Sequence, residues 1–163
     1  GVIGMIDLLN DTQLDTEQRD YVRTIKRSSE TLLNILNDIL DLSKIEAGKM
    51  VLHEAPVALA EVFEKLIALF GQQAASKGNR LTYHLADDLP TFVIADQTRL
   101  LQILSNLTSN AIKFTEGGSV HVDATLLGKR GKFNRIKVAV QDTGIGISAE
   151  NIGLLFNSFS QVD

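Results

Sequence analysis

The 163-residue sequence contains no cysteine, so neither disulfide bonds nor thiolate metal sites can form. It also has no apolar run near the ~20 residues that a membrane-spanning helix needs, and we expect no membrane segment in this chain. Repeats and low-complexity segments are absent as well. The net charge is −4 and no extended basic block occurs, which argues against nucleic acid as the main partner. The absence of cysteine is compatible with a cytoplasmic protein.

What the sequence does contain is enough apolar material for a globular core, with 44% hydrophobic residues. The chain opens on Gly1-Val2-Ile3-Gly4, without an initiator methionine or a signal peptide. We therefore expect a piece of a longer protein, whose other parts could include a membrane segment.

The first 48 residues are predicted to form a helical hairpin. Residues 1–10 have the pattern of a helix end, and a longer helical pattern runs from about 16 to 47. The second helix has apolar and small residues at the three- and four-residue steps of a coiled coil, namely Val22, Ile25, Ser29, Leu32, Leu36, Ile39 and Ser43. Neighbouring leucines widen this stripe beyond what one partner helix can cover. We expect a homodimeric four-helix bundle, the alternative being that the stripe packs on the rest of the same chain.

The rest of the chain alternates between helical and strand-like patterns, which predicts the α+β class. In chain order, the predicted elements are a short strand at 50–53, a helix at 59–76, strands at 81–85 and 92–94, a helix at 96–115, and strands at 120–126 and 136–141. The last two strands are separated by a basic turn at 128–134 and are predicted to pair as an antiparallel hairpin.

The helix at 96–115, with Asp96 as its N-cap, carries the first candidate site. Asn106, Asn110 and Lys113 fall on one face, at the rim of the apolar stripe. Asparagine is a poor helix former because its amide competes for backbone hydrogen bonds. We therefore expect that something other than helix stability selects the pair. An amide oxygen beside an ammonium group suits a phosphate bound with a hard cation, whereas the alternative is that both asparagines are solvated helix residues.

The strand at 136–141 leads into a second candidate site. Its alternation places Asp142 on the same face as Val140, the face predicted to meet the core. A carboxylate directed inward is costly unless it is paired or hydrogen-bonded. Gly144 and Gly146 follow, and glycines permit tight turns and close approach of a ligand. The pattern indicates an acid that recognises a nucleobase beside a glycine loop, or else an aspartate that caps a strand-to-helix turn.

Four motifs, in this order along the chain, resemble those of two-component sensor histidine kinases. That family belongs to the ATPase superfamily shared with gyrase, heat-shock chaperones and mismatch-repair proteins. Residues 37–49 resemble the end of the second helix of its dimerisation hairpin. This stretch is similar to the corresponding stretch of hybrid kinases, which carry their own receiver domain. Residues 106–115 resemble its N box, 142–147 its first glycine box, and 155–163 its phenylalanine box. The resemblance covers essentially the whole chain.

The resemblance implies that the N box binds the phosphates of ATP together with Mg²⁺. Asn110 is implied to offer its side-chain oxygen to Mg²⁺, and Lys113 to contact phosphate as a point charge. Asn106 stands where ATPase relatives often have a glutamate that activates water. An amide cannot act as that base, which fits transfer to a protein side chain better than hydrolysis. Asn106 and Lys113 are the implied catalytic residues.

The other two boxes are implied to bind the rest of the nucleotide. Asp142 is implied to accept a hydrogen bond from the adenine amine, and Gly144 and Gly146 to let the backbone approach the nucleotide. Phe156 and Phe159 are implied to pack at the base of a lid over ATP, the alternative being ordinary core packing.

Two parts of the family pattern are missing. The family's phosphoacceptor belongs to a His-Glu-x-x-x-Pro box on the first hairpin helix, and residues 1–5 resemble the stretch just downstream of that box. His84 and His121 have no adjoining acid, and His53-Glu54-Ala55-Pro56 does not have the proline spacing of the box, so no phosphoacceptor is assigned. The chain also stops before the second glycine box and the end of the lid.

The resemblance thus implies a fragment of two parts. A dimerisation and histidine-phosphotransfer hairpin at 1–48 is followed by an α/β sandwich of the histidine kinase, gyrase and chaperone ATPase type at 52–163, truncated at its C-terminus. The intact parent, which could be anchored in the inner membrane, is implied to transfer the γ-phosphoryl group of ATP to a histidine and then to an aspartate of a response regulator receiver domain. The alternative is a dimerising scaffold with a vestigial or regulatory nucleotide site.

The missing acceptor predicts that this chain does not phosphorylate itself, even when it binds ATP. Efficient transfer needs reactants held roughly 3–3.5 Å apart, and the family delivers its acceptor from the hairpin. Incubation with γ-labelled ATP, followed by acid-stability analysis and peptide mapping, measures this. A chain extended upstream through the histidine box, and downstream through the lid, is the positive control. Acid-labile label on His53, His84 or His121 would contradict the prediction.

Overall fold

A computed structural model of the chain describes residues 1–131 and 133–153. The chain forms two compact units, Gly1–Val51 and Leu52–Asp163. The first is a helical hairpin and the second combines helices with sheets, so the predicted α+β class is confirmed. Within the described residues, no helix has both the length and the apolar character needed to cross a membrane.

The first unit consists of α1 (Val2–Asn10) and α2 (Thr16–Glu46). A capping box starts α2, in which Asp15 Oδ1 accepts from the Gln18 amide at 2.8 Å and Gln18 Oε1 accepts from the Asp15 amide at 3.1 Å. Ile6 and Val22 are the buried residues of the two helices. This pair leaves most of the apolar side chains of the hairpin without a partner inside the unit.

The apolar stripe of α2 is exposed within the hairpin. Its exposed members include Ile25, Leu32, Leu33, Ile35, Leu36, Ile39 and Leu40. Their side chains cover successive turns of one long helix, as expected for an interface between helices. Two hairpins brought together would bury this surface, which supports the predicted four-helix bundle.

The second unit contains two small sheets and three helices among its described residues. In chain order, its elements are β1 (Ala55–Ala58), α3 (Leu59–Ser76), β2 (Arg80–Leu85), β3 (Phe92–Ala95), α4 (Gln97–Lys113), β4 (Ser119–Arg130), β5 (Phe133–Asp142) and α5 (Ala149–Ile152). The larger sheet has the order β2-β4-β5, in which β2 and β4 are parallel and β4 and β5 antiparallel. Strands β1 and β3 form an antiparallel ribbon.

The core of this unit lies between one face of the three-stranded sheet and the two long helices. Its fully buried centre includes Phe63 and Leu66 of α3 and Val122 and Ala124 of β4. The other face of the sheet is polar, and there His84 Nδ1 lies 2.8 Å from Asp123 Oδ1. In this arrangement the apolar side of α4 packs on the sheet and on α3, and its polar side faces solvent.

Two sequence predictions were wrong in this unit. The predicted strand at 50–53 is not present, and the strand lies instead at β1, where Pro56 pairs with Ile94. A two-stranded ribbon has only edge strands, which tolerate proline. The turn predicted at 128–134 is also too long, because a bulge beside Gly128, with φ +116°, lets β4 continue to Arg130.

Removing residues 1–48 is expected to convert a dimer into a monomer, since the hairpin carries the exposed apolar stripe. Light scattering on the complete chain and on residues 49–163 measures this. A full-length variant with Leu32→Gln and Leu36→Gln, both in the stripe, should also weaken the dimer. It tests the stripe without shortening the chain. A dimer that survives the deletion would place the interface in the second unit instead.

Candidate functional site

Asp96 is the N-cap of α4, as the sequence predicted. Its carboxylate accepts from the His53 amide at 2.9 Å and from the Arg99 amide at 3.1 Å. These two backbone donors, with that of His53 the stronger, hold the pKa of Asp96 below its usual range because they stabilise the charged form. The cap therefore ties the segment before β1 to the first turn of α4.

The polar face of α4 is open, as the sequence predicted. Asn106, Asn110 and Lys113 are all exposed, and among the described residues neither asparagine side chain has a hydrogen-bond partner. The opposite side of the helix buries Leu104, Ala111 and Ile112. Since these two side-chain amides make no hydrogen bond within the described part of the chain, they are available to bind a ligand.

The ammonium group of Lys113 stays at the C-terminal end of this face. Its Nζ lies 4.9 Å from the ring centroid of Phe114, the residue that ends α4. A cation at this end also complements the partial negative charge of the helix terminus. The arrangement leaves a positive charge beside the exposed amides.

The structure leaves Asp142 exposed, although it lies on the face of the sheet that was predicted to meet the core. The register pairs it with Val120, on the side of the sheet that faces the helices, as the alternation predicted. However, β5 ends at Asp142, so the core does not extend over it. Its Oδ1 accepts from the Gly144 amide at 2.9 Å, which orders the start of the glycine loop.

The glycine loop packs directly on the end of α4. A Cβ on Gly144 would lie 2.2 Å from the carbonyl oxygen of Phe114 and 2.9 Å from Oγ1 of the buried Thr115. The Ile145 amide donates to that same Phe114 oxygen at 3.3 Å. Gly146, with φ +70°, has the left-handed backbone that favours glycine. The structure thus brings together the two motifs that the sequence placed some thirty residues apart.

Some predicted residues cannot be placed. Phe156 and Phe159 lie outside the described residues. Across residues 1–131 and 133–153, no group of three or more acidic and histidine side chains is arranged to hold a metal ion.

Sequence reasoning missed Lys77, Asn79 and Thr115, which surround the end of α4. The sequence gives no sign that Asn79 is buried, since a buried asparagine has no local signature. The contacts of Lys77 and Asn79 reach residues 36 to 39 positions away, and such pairing becomes visible only in the fold.

Known families match both units. Residues 95–163 match the family described as "Histidine kinase-, DNA gyrase B-, and HSP90-like ATPase", and residues 1–48 match the "His Kinase A (phospho-acceptor) domain". The Escherichia coli "Signal transduction histidine-protein kinase BarA" is 43% identical over all of this chain and 18% of its own length. The Dictyostelium discoideum "Hybrid signal transduction histidine kinase L" is 41% identical over 99% of this chain and 10% of its own. The chain thus spans a fifth or less of these relatives.

Solved structures of histidine kinases are also similar to this chain. The chain resembles full-length ShkA in complex with AMPPNP, with a TM-score of 0.75 and 36% identity over 92% of this chain and 31% of that one. It also resembles the histidine kinase ThkA in complex with the response regulator protein TrrA, with a TM-score of 0.66 and 25% identity over 98% and 46% of the two chains. The fold and the matched families define a phosphoacceptor-type hairpin joined to an ATPase-type unit. The chain belongs to the sensor histidine kinase family, whose members similar to it include hybrid kinases.

Gly144→Ala is expected to lower the free energy of unfolding by about 1–3 kcal/mol, because its methyl group would overlap the Phe114 carbonyl oxygen. Gly71→Ala is the matched control. It lies inside α3, where an added Cβ meets nothing within 4 Å, and it should raise stability by about 0.5–1 kcal/mol. Urea unfolding followed by circular dichroism measures both. Equal effects of the two substitutions would contradict the close approach of the loop to α4.

Proposed function

We propose that the second unit binds ATP with Mg²⁺ between the polar face of α4 and the glycine loop. The observation that carries this proposal is the packing of Gly144 against the Phe114 carbonyl, at the end of the helix whose exposed face holds Asn106 and Asn110. It is supported by the match of residues 95–163 to the ATPase family and by the similarity to a structure determined with AMPPNP. Because ATP is the phosphate donor in this proposal, we also propose that this unit lies in the cytoplasm.

The residues that we place around the nucleotide differ in their chemistry. Asn110 would hold Mg²⁺ through its amide oxygen, which is the kind of hard ligand that this ion prefers. Lys113 would contact phosphate, and Asp142 would accept from the adenine amine through the carboxylate oxygen that the Gly144 amide leaves free. Bound Mg²⁺ would neutralise the charge that develops on the phosphates.

In the intact protein we propose transfer of the γ-phosphoryl group to a histidine of the hairpin. Asn106 carries an amide that cannot remove a proton from water, which disfavours hydrolysis in competition with transfer. The phosphoryl group would pass from that histidine to an aspartate of a response regulator receiver domain. The similarity to a structure of a kinase in complex with a response regulator supports this partner. The match of residues 1–48 to a phosphoacceptor domain supports dimerisation through the hairpin.

Substitutions at the two motifs should weaken nucleotide binding in different ways. Asn110→Ala should reduce ATP affinity only when Mg²⁺ is present, whereas Asp142→Asn should reduce it with or without the metal. Each loss corresponds to a hydrogen bond or ligand on a charged partner, about 1.5–3 kcal/mol or roughly ten- to a hundredfold in affinity. Isothermal titration calorimetry with and without Mg²⁺ measures both.

The exposed residues Asn134 and Asp88 provide matched controls, because they lie on β5 and on the loop after β2, away from the site. Asn134→Ala and Asp88→Asn should leave the affinity unchanged. If Asn110→Ala and Asp142→Asn behave like these controls, the proposed site is wrong.

A further inference from the structure

The turn between α3 and β2 contains a buried asparagine that the proposed function does not use. Asn79 is only 6% exposed. Its backbone is fixed by the end of α3, where the Gly78 amide donates to the Ala75 carbonyl and the Asn79 amide to the Ala74 carbonyl, both at 2.9 Å. Gly78, with φ +70°, has the left-handed conformation typical of this helix end. The base of the Asn79 side chain is therefore immobile relative to α3.

The amide of Asn79 spans the turn that follows α4. Its Nδ2 donates to the Thr115 carbonyl at 2.7 Å, and its Oδ1 accepts from the Gly118 amide at 3.0 Å. Donor and acceptor are both used, and both partners are backbone groups. A buried amide satisfied in this way fixes the distance between the two partners, because breaking either bond leaves a buried polar group unpaired.

Lys77 adds two hydrogen bonds to the same segment. Its Nζ donates to the Lys113 carbonyl at 2.8 Å, and its own carbonyl accepts from the Gly117 amide at 3.1 Å. Residues 77 and 79 therefore contact the last turn of α4 and the turn after it at four points. We call this set of four hydrogen bonds the α3–α4 clamp.

The segment that the clamp holds is the surface on which the glycine loop rests. Besides the contact of Gly144 with Phe114, a Cβ on Gly118 would lie 2.3 Å from Thr143 Oγ1. The same Thr143 oxygen accepts from the Ser119 amide at 2.9 Å. With contacts this close, a displacement of residues 114–118 has to displace the loop as well.

We infer that Asn79 is a positioning residue for the nucleotide site, which sets the relative position of the α4 terminus and the glycine loop through the α3–α4 clamp. The inference rests on the proposed function, since that position matters for affinity only if ATP binds between the two elements. Asn79 itself lies beneath the turn and contacts its backbone. Its effect on a nucleotide is therefore exerted through the Thr115 carbonyl and the Gly118 amide.

Asn79→Ala is expected to weaken binding of the Mg²⁺ complex of AMPPNP roughly tenfold, within the range typical of coupling between linked sites. Lys77→Met removes one bond of the clamp from a partly exposed side chain and keeps its apolar stem. It should have a smaller effect in the same direction, and it keeps the test decisive if Asn79→Ala does not fold. Val57→Ala is the matched control, because Val57 is 3% exposed in the core but lies on β1, which carries no residue of the site. It should lower the thermal stability through a cavity and leave the affinity unchanged.

Amide hydrogen exchange in the absence of nucleotide separates positioning from a general loss of stability. Asn79→Ala should speed exchange at the amides of Gly118 and Ile145 more than at those of the core strand β4. Val57→Ala should not single out these two amides. This pattern, together with the loss of affinity, would support the inference.

Unchanged AMPPNP affinity in both Asn79→Ala and Lys77→Met would overturn the inference while leaving the proposed function intact. An affinity loss equal to that of Val57→Ala at matched stability would overturn it too, since it would show a purely structural role. If the unsubstituted chain does not bind the nucleotide at all, the proposed function fails and the inference with it.

Discussion

The contact between Gly144 and the carbonyl oxygen of Phe114 is the constraint on which the candidate site depends. A side chain at position 144 would have its Cβ only 2.2 Å from that oxygen, so the loop can reach the end of α4 only with glycine there. The Ile145 amide then donates to the same oxygen, which would otherwise be one of the unpaired carbonyls of a helix end. The carbonyl oxygen at the end of α4 thus also holds the glycine loop.

The rest of the second unit can be understood as support for this contact. The apolar side of α4 is anchored in the core, and its start is capped by Asp96. Contacts at both ends and along one side therefore hold the polar face of the helix in place. A surface held in place before binding loses little entropy when a ligand binds to it.

Local signals predicted the helices well, because caps and periodicity are encoded within a few residues. The helix predicted at 59–76 matches α3, and Asp96 caps α4 as expected. Predictions that extended a pattern beyond its element were less accurate. The alternation of β5 placed Asp142 on the correct side of the sheet, yet the strand ends there and the residue stays exposed. Strand β1 was not predicted because it contains Pro56, which is unfavourable in a strand unless the strand lies at an edge. Nothing in the local sequence shows that β1 is an edge strand.

The sequence motifs predicted the residues of the candidate site. They did not predict the residues, such as Asn79, that hold those residues in position. Asn106, Asn110 and Gly144 stand out because their residue types are unusual for a helix face or a tight loop. Asn79 has no such signature, since its role comes from partners 36 and 39 residues away in the sequence. Contacts of that kind are set by the packing of α3 against α4, which a single sequence does not reveal.

The proposed site requires that the polar face of α4 and the glycine loop bind one ligand together. Titration of the ¹⁵N-labelled chain with the Mg²⁺ complex of AMPPNP, followed by backbone amide NMR, is the experiment that measures this. We expect shifts at Asn110, Gly144 and Gly146 that saturate with a single dissociation constant, while the amides around His84 and His121 on the polar face of the sheet stay unchanged. Shifts confined to only one of the two motifs, or centred on that polar face, would contradict it.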